Sequence, residues 1–185
     1  MLSKLAEDTK NTLLNVIRGT GEIGLALQTA VKDNVISALK GVGQITTTAT
    51  EVVSEIVQGA IVAASQTGTT LTTASKNVAV GAIKGALEVG VSSVDATQKV
   101  VTGTIKGAFE VGGDVAAVAV SSVEGAIEAA GAIGANTEEA AKVAVMTAVK
   151  AADEIGTEVG QDVRRALLST ASLPADVVKA VLGGK

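Results

Sequence analysis

The chain contains no cysteine, histidine, tryptophan or tyrosine. Without thiols and imidazoles it has no Cys nucleophile, His base, disulfide, thiolate zinc site or imidazole ligand. Its Asp and Glu residues are spread evenly, so no carboxylate cluster suggests a metal site either. The expectation is a non-enzyme with no catalytic residue, no cofactor and no small-molecule substrate. One aromatic residue, Phe109, is present, and 15 basic residues face 19 acidic ones. Stacking platforms and basic patches for nucleic acid are therefore missing. Nowhere do about 18 apolar residues run together, Val115 to Val120 being a typical maximum, so no ordinary transmembrane helix is expected. The opening MLSKLAEDTKNTLLNVI interleaves charges with apolar positions, unlike a secretory signal. These absences point to a cytoplasmic protein, free or peripheral on a membrane or lipid inclusion.

Small apolar residues and a repeat fill the chain instead. Hydrophobic residues make up 47% of it, mostly Ala, Val and Ile, and glycine occurs 21 times among 185 residues. The phrase VGAIKGALEVG (Val80 to Gly90) returns after 22 residues as TGTIKGAFEVG (Thr102 to Gly112). Steps of 22 from Ile17 land on Leu39, Ile61, Ile83, Ile105, Ile127 and Val149. A glycine series follows the same beat at Gly24, Gly68, Gly90, Gly112, Gly134 and Gly156. Self-similarity at such a period marks a repetitive architecture.

Two architectures suit this period. A β-solenoid would exploit the Gly, Thr and Val content but needs alternation of period two, which occurs only in scraps such as Val78-Ala79-Val80. A helix turning three times per eleven residues accounts for more. It sorts the Ile, Val and Gly columns onto one half and nearly all charges onto the other, with Glu138 and Asp162 as misfits. It also makes i,i+4 neighbours of Arg18–Glu22, Lys84–Glu88, Lys106–Glu110 and Lys150–Glu154. The fold class is therefore all-α: long amphipathic helices from tandem 22-residue repeats, extended or folded into an antiparallel bundle. Residues 1–16 start the first helix, and 17–168 hold the repeats, with turns expected near 65–73 and 134–137. Asn136 and Glu139 have capping-box spacing. Residues 169–185 form a short C-terminal helix, opened by Pro174 in its first turn, and a frayed end.

Interior glycine costs a helix about 1 kcal/mol relative to alanine, so these helices need a cover over their apolar half. The Ile column (Ile17, Leu39, Ile61, Ile83, Ile105, Ile127, Val149) is the expected interaction face. The Gly24, Gly68, Gly90, Gly112, Gly134 and Gly156 series is read as a small-residue packing ridge. Gly81 with Gly85 and Gly103 with Gly107 add Gly-x-x-x-Gly spacing, which lets helix backbones approach. A basic column, Lys10, Lys32, Lys76, Lys142 and Arg164, flanks the face and can reach toward lipid head groups or solubilise a bundle. GTGEIG (Gly19 to Gly24) has dinucleotide-loop spacing, but it is a degenerate copy of the repeat and lacks a preceding strand.

The stretch KVVTGTIKGAFEVGGDVAAVAVSSVEGA (Lys99 to Ala126) resembles the eleven-residue amphipathic repeats of perilipins and synucleins. That resemblance implies an extended helix that forms on contact with lipid. Unlike those families, this chain has no sustained Lys-Thr-Lys-Glu core and uses more Ala and Ile. Two functions follow as expectations. One is a peripheral coat on a lipid or membrane surface that orders as it binds. The other is a structural, self-associating helical protein (bundle, coiled coil or filament) packed through Gly/Ala ridges.

Overall fold

The structure is a computed structural model that describes residues 3–18, 23–41 and 47–183. Among the described residues there are nine α-helices and no strand. They are α1 (Lys4–Arg18), α2 (Ile23–Gly41), α3 (Thr47–Ser65), α4 (Leu71–Glu88), α5 (Ser93–Glu110), α6 (Val115–Ala132), α7 (Thr137–Ile155), α8 (Thr157–Ser169) and α9 (Ala175–Leu182).

Each 22-residue unit is one helix and one turn, where the sequence suggested six continuous helical turns. Gly68, Gly90, Gly112 and Gly134 have φ of +75°, +92°, +67° and +72°, the left-handed region that favours glycine. After α4 the Gly90 amide donates to the Leu87 carbonyl and the Val91 amide to Ala86, both at 3.0 Å. Gly112 and Gly113 repeat this after α5, and Gly134 and Ala135 after α6. This paired pattern closes a helix C-terminus on its last orphan carbonyls. Two residues beyond each glycine comes the next N-cap: Thr70, Ser92, Asp114 or Asn136. Ser92 Oγ accepts from the Asp95 amide at 3.1 Å, and Asp114 Oδ1 from Ala117 at 3.0 Å. Asn136 Oδ1 accepts from both Glu138 and Glu139, at 3.0 and 3.1 Å. Such a cap is worth about 1 kcal/mol. Turns thus occupy 66–70, inside one expected segment, and 133–136, overlapping the other, and also 89–92 and 111–114, where the sequence reading ran the helix through.

Short turns make consecutive helices antiparallel hairpins. Contacts then sort them into two rows, α1-α3-α5-α7-α9 and α2-α4-α6-α8, each helix touching its chain neighbours and those two places along. Helices within a row are parallel, as the glycine contacts show. A Cβ placed on Gly81 of α4 would collide with the Gln28 carbonyl of α2, and one on Gly85 would lie 2.7 Å from the Lys32 carbonyl. On α5, Gly103 meets the Ser54 carbonyl of α3, and Gly107 faces Gln58 and Ile61. A Cβ on Gly59 would meet the Ala6 carbonyl of α1 in the same way, and one on Gly125 would lie 2.7 Å from the Lys76 carbonyl of α4. Both rows therefore close through glycine against the backbone of the preceding helix.

The interior that results is built from small side chains and a thread of larger ones. Ile61, Ile83 and Ile105 are 2% exposed or less, Leu39 and Val149 are also buried, and Ile127 is half-buried. The Ile column thus faces neighbouring helices. The side chain of Ile17, Gly19 and the Arg18–Glu22 pair lie outside the described residues. α6, with mean hydropathy 1.4 over 18 residues, is long and apolar enough to cross a membrane by length and composition. Half of it is buried inside the fold, where it contacts α4, α5, α7 and α8. Buried Ser75, Thr104, Ser121 and Ser122 return their hydroxyls to carbonyls of their own helices.

The glycine ridge needs a correction. At Gly68, Gly112 and Gly134 a Cβ would meet nothing within 4 Å, so these residues are stops, not packing surfaces. Gly156 closes α7 in an extended conformation, φ 172°, and Gly24 approaches another helix, with Asn77 Nδ2 3.0 Å from its added Cβ. The packing ridge belongs to the other series, Gly59, Gly81, Gly103 and Gly125, with Gly85 and Gly107.

Three alanine substitutions separate these roles in thermal unfolding followed by circular dichroism. Gly81→Ala is expected to cost at least about 2 kcal/mol despite alanine's better propensity, because the methyl must displace a backbone. Gly112→Ala costs about 1–2 kcal/mol through left-handed strain alone. Gly131→Ala, exposed in α6 and 3.5 Å from Thr137 Cγ2, is neutral or stabilises by up to about 1 kcal/mol.

Candidate functional site

The outer face of the odd row carries a concave groove of about 430 Å³. Its floor is α5, its walls are α3 and α7, and Ala151 is the one apolar residue lining it. Glu51 and Glu55 stand on the α3 wall, Lys99 and Lys106 on α5, and Lys150 with Glu154 on α7. Ser54, Gln58, Gln98, Thr102 and Thr147 complete the lining. None of these six charges forms an ion pair within the described residues. Lys84 and Lys179, outside the groove, likewise make none among the described residues, whereas the predicted basic column is fully engaged.

Every member of that column contacts a carboxylate of its own chain. Lys10 lies 3.6 Å from Glu7, and Lys142 lies 2.6 Å from Glu138 one turn earlier. Lys32 of α2 reaches Glu88 of α4 at 2.6 Å, and Lys76 of α4 reaches Glu128 of α6 at 3.0 Å. Arg164 of α8 makes a two-pronged contact with Asp153 of α7, Nη1 to Oδ1 at 2.9 Å. Three of the five ties therefore join different helices. Glu88 turns to Lys32 and not to Lys84, and Lys150 makes no pair with Glu154, so these two expected i,i+4 pairs do not form. Glu110 accepts from Gln58 Nε2 of α3 at 2.6 Å. Glu138, a misfit on the continuous stripe, has a place in the turn-and-helix unit: it sits in the acidic first turn of α7.

The groove arises where the glycine ladder stops. Gly59, Gly81, Gly103 and Gly125 recur every 22 residues, and the next step is Thr147 on α7. Ala151 likewise stands where Gly107 stands on α5. By the register of α5 on α3, these two side chains oppose Gln98 and Thr102, and all four line the groove. A threonine at the close-approach position holds two backbones apart, and α7 packs less closely on α5 than α5 does on α3. The sequence reading missed this site because it counted repeats and did not ask where one glycine column ends.

The comparisons with known proteins bear on the architecture. No protein-family model matches the chain, nor does any curated protein. Among solved structures it is similar to the crystal structure of the de novo designed helical repeat protein DHR7. The TM-score is 0.54 at 21% identity, covering 97% of this chain and 95% of that one. The likeness shows a shared helical repeat fold.

The ion pairs make stability depend on pH. Hydrogen bonding from the Lys32 ammonium, and its charge, hold Glu88 below the ordinary glutamate value of 4.5; Lys142 does the same to Glu138. A lowered folded pKa contributes stability above the unfolded value and loses it as pH falls through the folded one. Melting temperature is therefore expected to drop as pH falls below 4.5, with a shallower acid limb in Glu88→Gln. Both groups are exposed, so about 1 M salt flattens the difference.

Proposed function

We propose that this chain is a non-catalytic, self-supporting helical repeat scaffold that spends its apolar face on its own helices and works through its polar outer surface. The observation that carries this reading is the burial of the Ile column. Ile61, Ile83 and Ile105, the residues a lipid coat would use as its grip, pack between helices at 2% exposure or less. Among the described residues five large apolar side chains stay exposed, Leu25, Phe109, Ile133, Met146 and Leu168, and they are scattered over five different elements. They form no single stripe of the kind an interfacial helix lays on a bilayer. The basic column supports the same reading, since its charges are matched within the chain. A lipid coat would require the rows to unzip, giving up roughly 1.5–3 kcal/mol for each large buried side chain before lipid covered it again.

Circular dichroism with and without vesicles separates the two. The scaffold is fully helical in dilute lipid-free buffer, unfolds cooperatively, and keeps its spectrum when phosphatidylcholine or mixed phosphatidylcholine–phosphatidylserine vesicles are added. A weakly helical chain that gains helix on vesicles would replace this reading with the lipid coat. Melting over a hundredfold range of protein concentration reports self-association, which raises the melting temperature with concentration.

A further inference from the structure

We infer that the outer face of α7 docks an amphipathic helix of a protein partner carrying Gly-x-x-Glu, with α9 as a displaceable cover. The recognition rule comes from the rows themselves. Gly85, Gly107 and Gly125 make room for the carbonyls of Lys32, Gln58 and Lys76 on the helix they dock against. Three residues further on, Glu88, Glu110 and Glu128 bond the side chains of those same three residues, at 2.6, 2.6 and 3.0 Å. Among the described residues, three of the four row contacts that close through glycine are made this way. Backbone and side chain of one residue are thus read together, by a glycine and a glutamate one helical turn apart.

The next lysine on that column is Lys142 of α7, three steps of 22 beyond Lys76. No helix with Gly-x-x-Glu arrives there, and Lys142 turns back to Glu138 of its own helix. α9 lies against α7 instead, 8 residues without a glycine where α7 has 19. It leaves the face partly open. A groove of about 710 Å³ is lined by Lys142 together with Asp176, Val177 and Ala180 of α9. Another, of about 580 Å³, is lined by Met146 and Val149 with Val181 and Leu182 at the end of α9. Met146, one turn beyond Lys142, is 61% exposed. The face therefore continues the interface already used within the rows, with its lysine in place and an apolar neighbour uncovered. A second folded copy does not supply the matching helix at its N-terminal end. α1 contains no glycine, and Gly24 and Gly41 of α2 are followed three residues on by Leu27 and Gln44.

The test titrates the full-length chain against a fluorescein-labelled peptide with the sequence of Leu71–Glu88, followed by fluorescence anisotropy. This peptide is α4, whose Gly85 and Glu88 engage Lys32. Binding is expected, and Val178→Asp, which undocks α9, tightens it about fivefold or more by raising the fraction of chains with a free face. A peptide with Gly85→Leu loses binding, since its side chain collides with the α7 backbone. Lys142→Glu weakens the unmodified peptide about two- to fivefold, the scale of one exposed ion pair, and a peptide with Glu88→Lys regains that loss. The inference presupposes the self-supporting scaffold, so circular dichroism of the same lipid-free samples, showing each chain folded, keeps the two failures distinct. Equal binding of the Gly85→Leu peptide, unchanged affinity in Lys142→Glu, or no binding by the folded wild type and Val178→Asp alike each overturns it. So does a Val178→Asp chain that self-associates without taking up the peptide, which would make a second copy the occupant.

Discussion

Everything in this fold depends on how closely two parallel helix backbones approach one another. The chain has one aromatic residue, and its alanines and valines far outnumber its leucines and isoleucines, so its core rests mostly on small side chains. Dispersion between small groups is weak per contact and falls off steeply with distance. Alanine and valine therefore bind helices together only where the backbones lie close, and the glycines at 59, 81, 103 and 125 provide that approach in both rows. Each of them weakens its helix by about 1 kcal/mol in propensity. Tertiary packing recovers the loss, and for that reason the helices belong together more than any belongs to itself.

The 22-residue unit combines three devices with different physical origins. A left-handed glycine ends the helix, a polar cap two residues later starts the next, and an Ile or Val near the helix end fills the space between rows. Because the same unit is used for α4, α5, α6 and α7, each new helix docks on the one two places earlier in the same register. Growth by nearest-neighbour docking is the defining property of solenoid repeat proteins. The ion pairs follow the same logic. Lys32 with Glu88 and Lys76 with Glu128 lie 44 residues apart in their basic members, so two neighbouring steps of the even row are tied on the surface as well as in the core.

Departures from the repeat locate the distinctive features. The C-terminal helices shorten, to 13 residues in α8 and 8 in α9, and turn polar residues outward. Thr147 breaks the glycine column on α7 and lines the polar groove between α3, α5 and α7. A perfectly regular sequence would have closed that surface.

What the sequence determined by itself was the class of structure and the inside–outside division. The separation of Ile and Val columns from charges is a property of helical periodicity, and Ile61, Ile83 and Ile105 are buried as that separation requires. It did not reveal the turns at 89–92 and 111–114, because 18 helical residues plus a four-residue turn span the same 22 positions as six continuous turns of about 3.67 residues. The stripe keeps its phase through every reversal, so phase alone cannot distinguish a long rod from a folded stack. A local signal was present in Gly68 before Thr70, Gly90 before Ser92, Gly112 before Asp114 and Gly134 before Asn136, a stop followed two residues later by a cap. Only the tertiary structure decided which glycines pack and which turn, since both kinds recur with the same period. It also decided which carboxylate each lysine meets, because Lys32 and Glu88 are brought together by the docking of α4 on α2 and not by their separation along the chain.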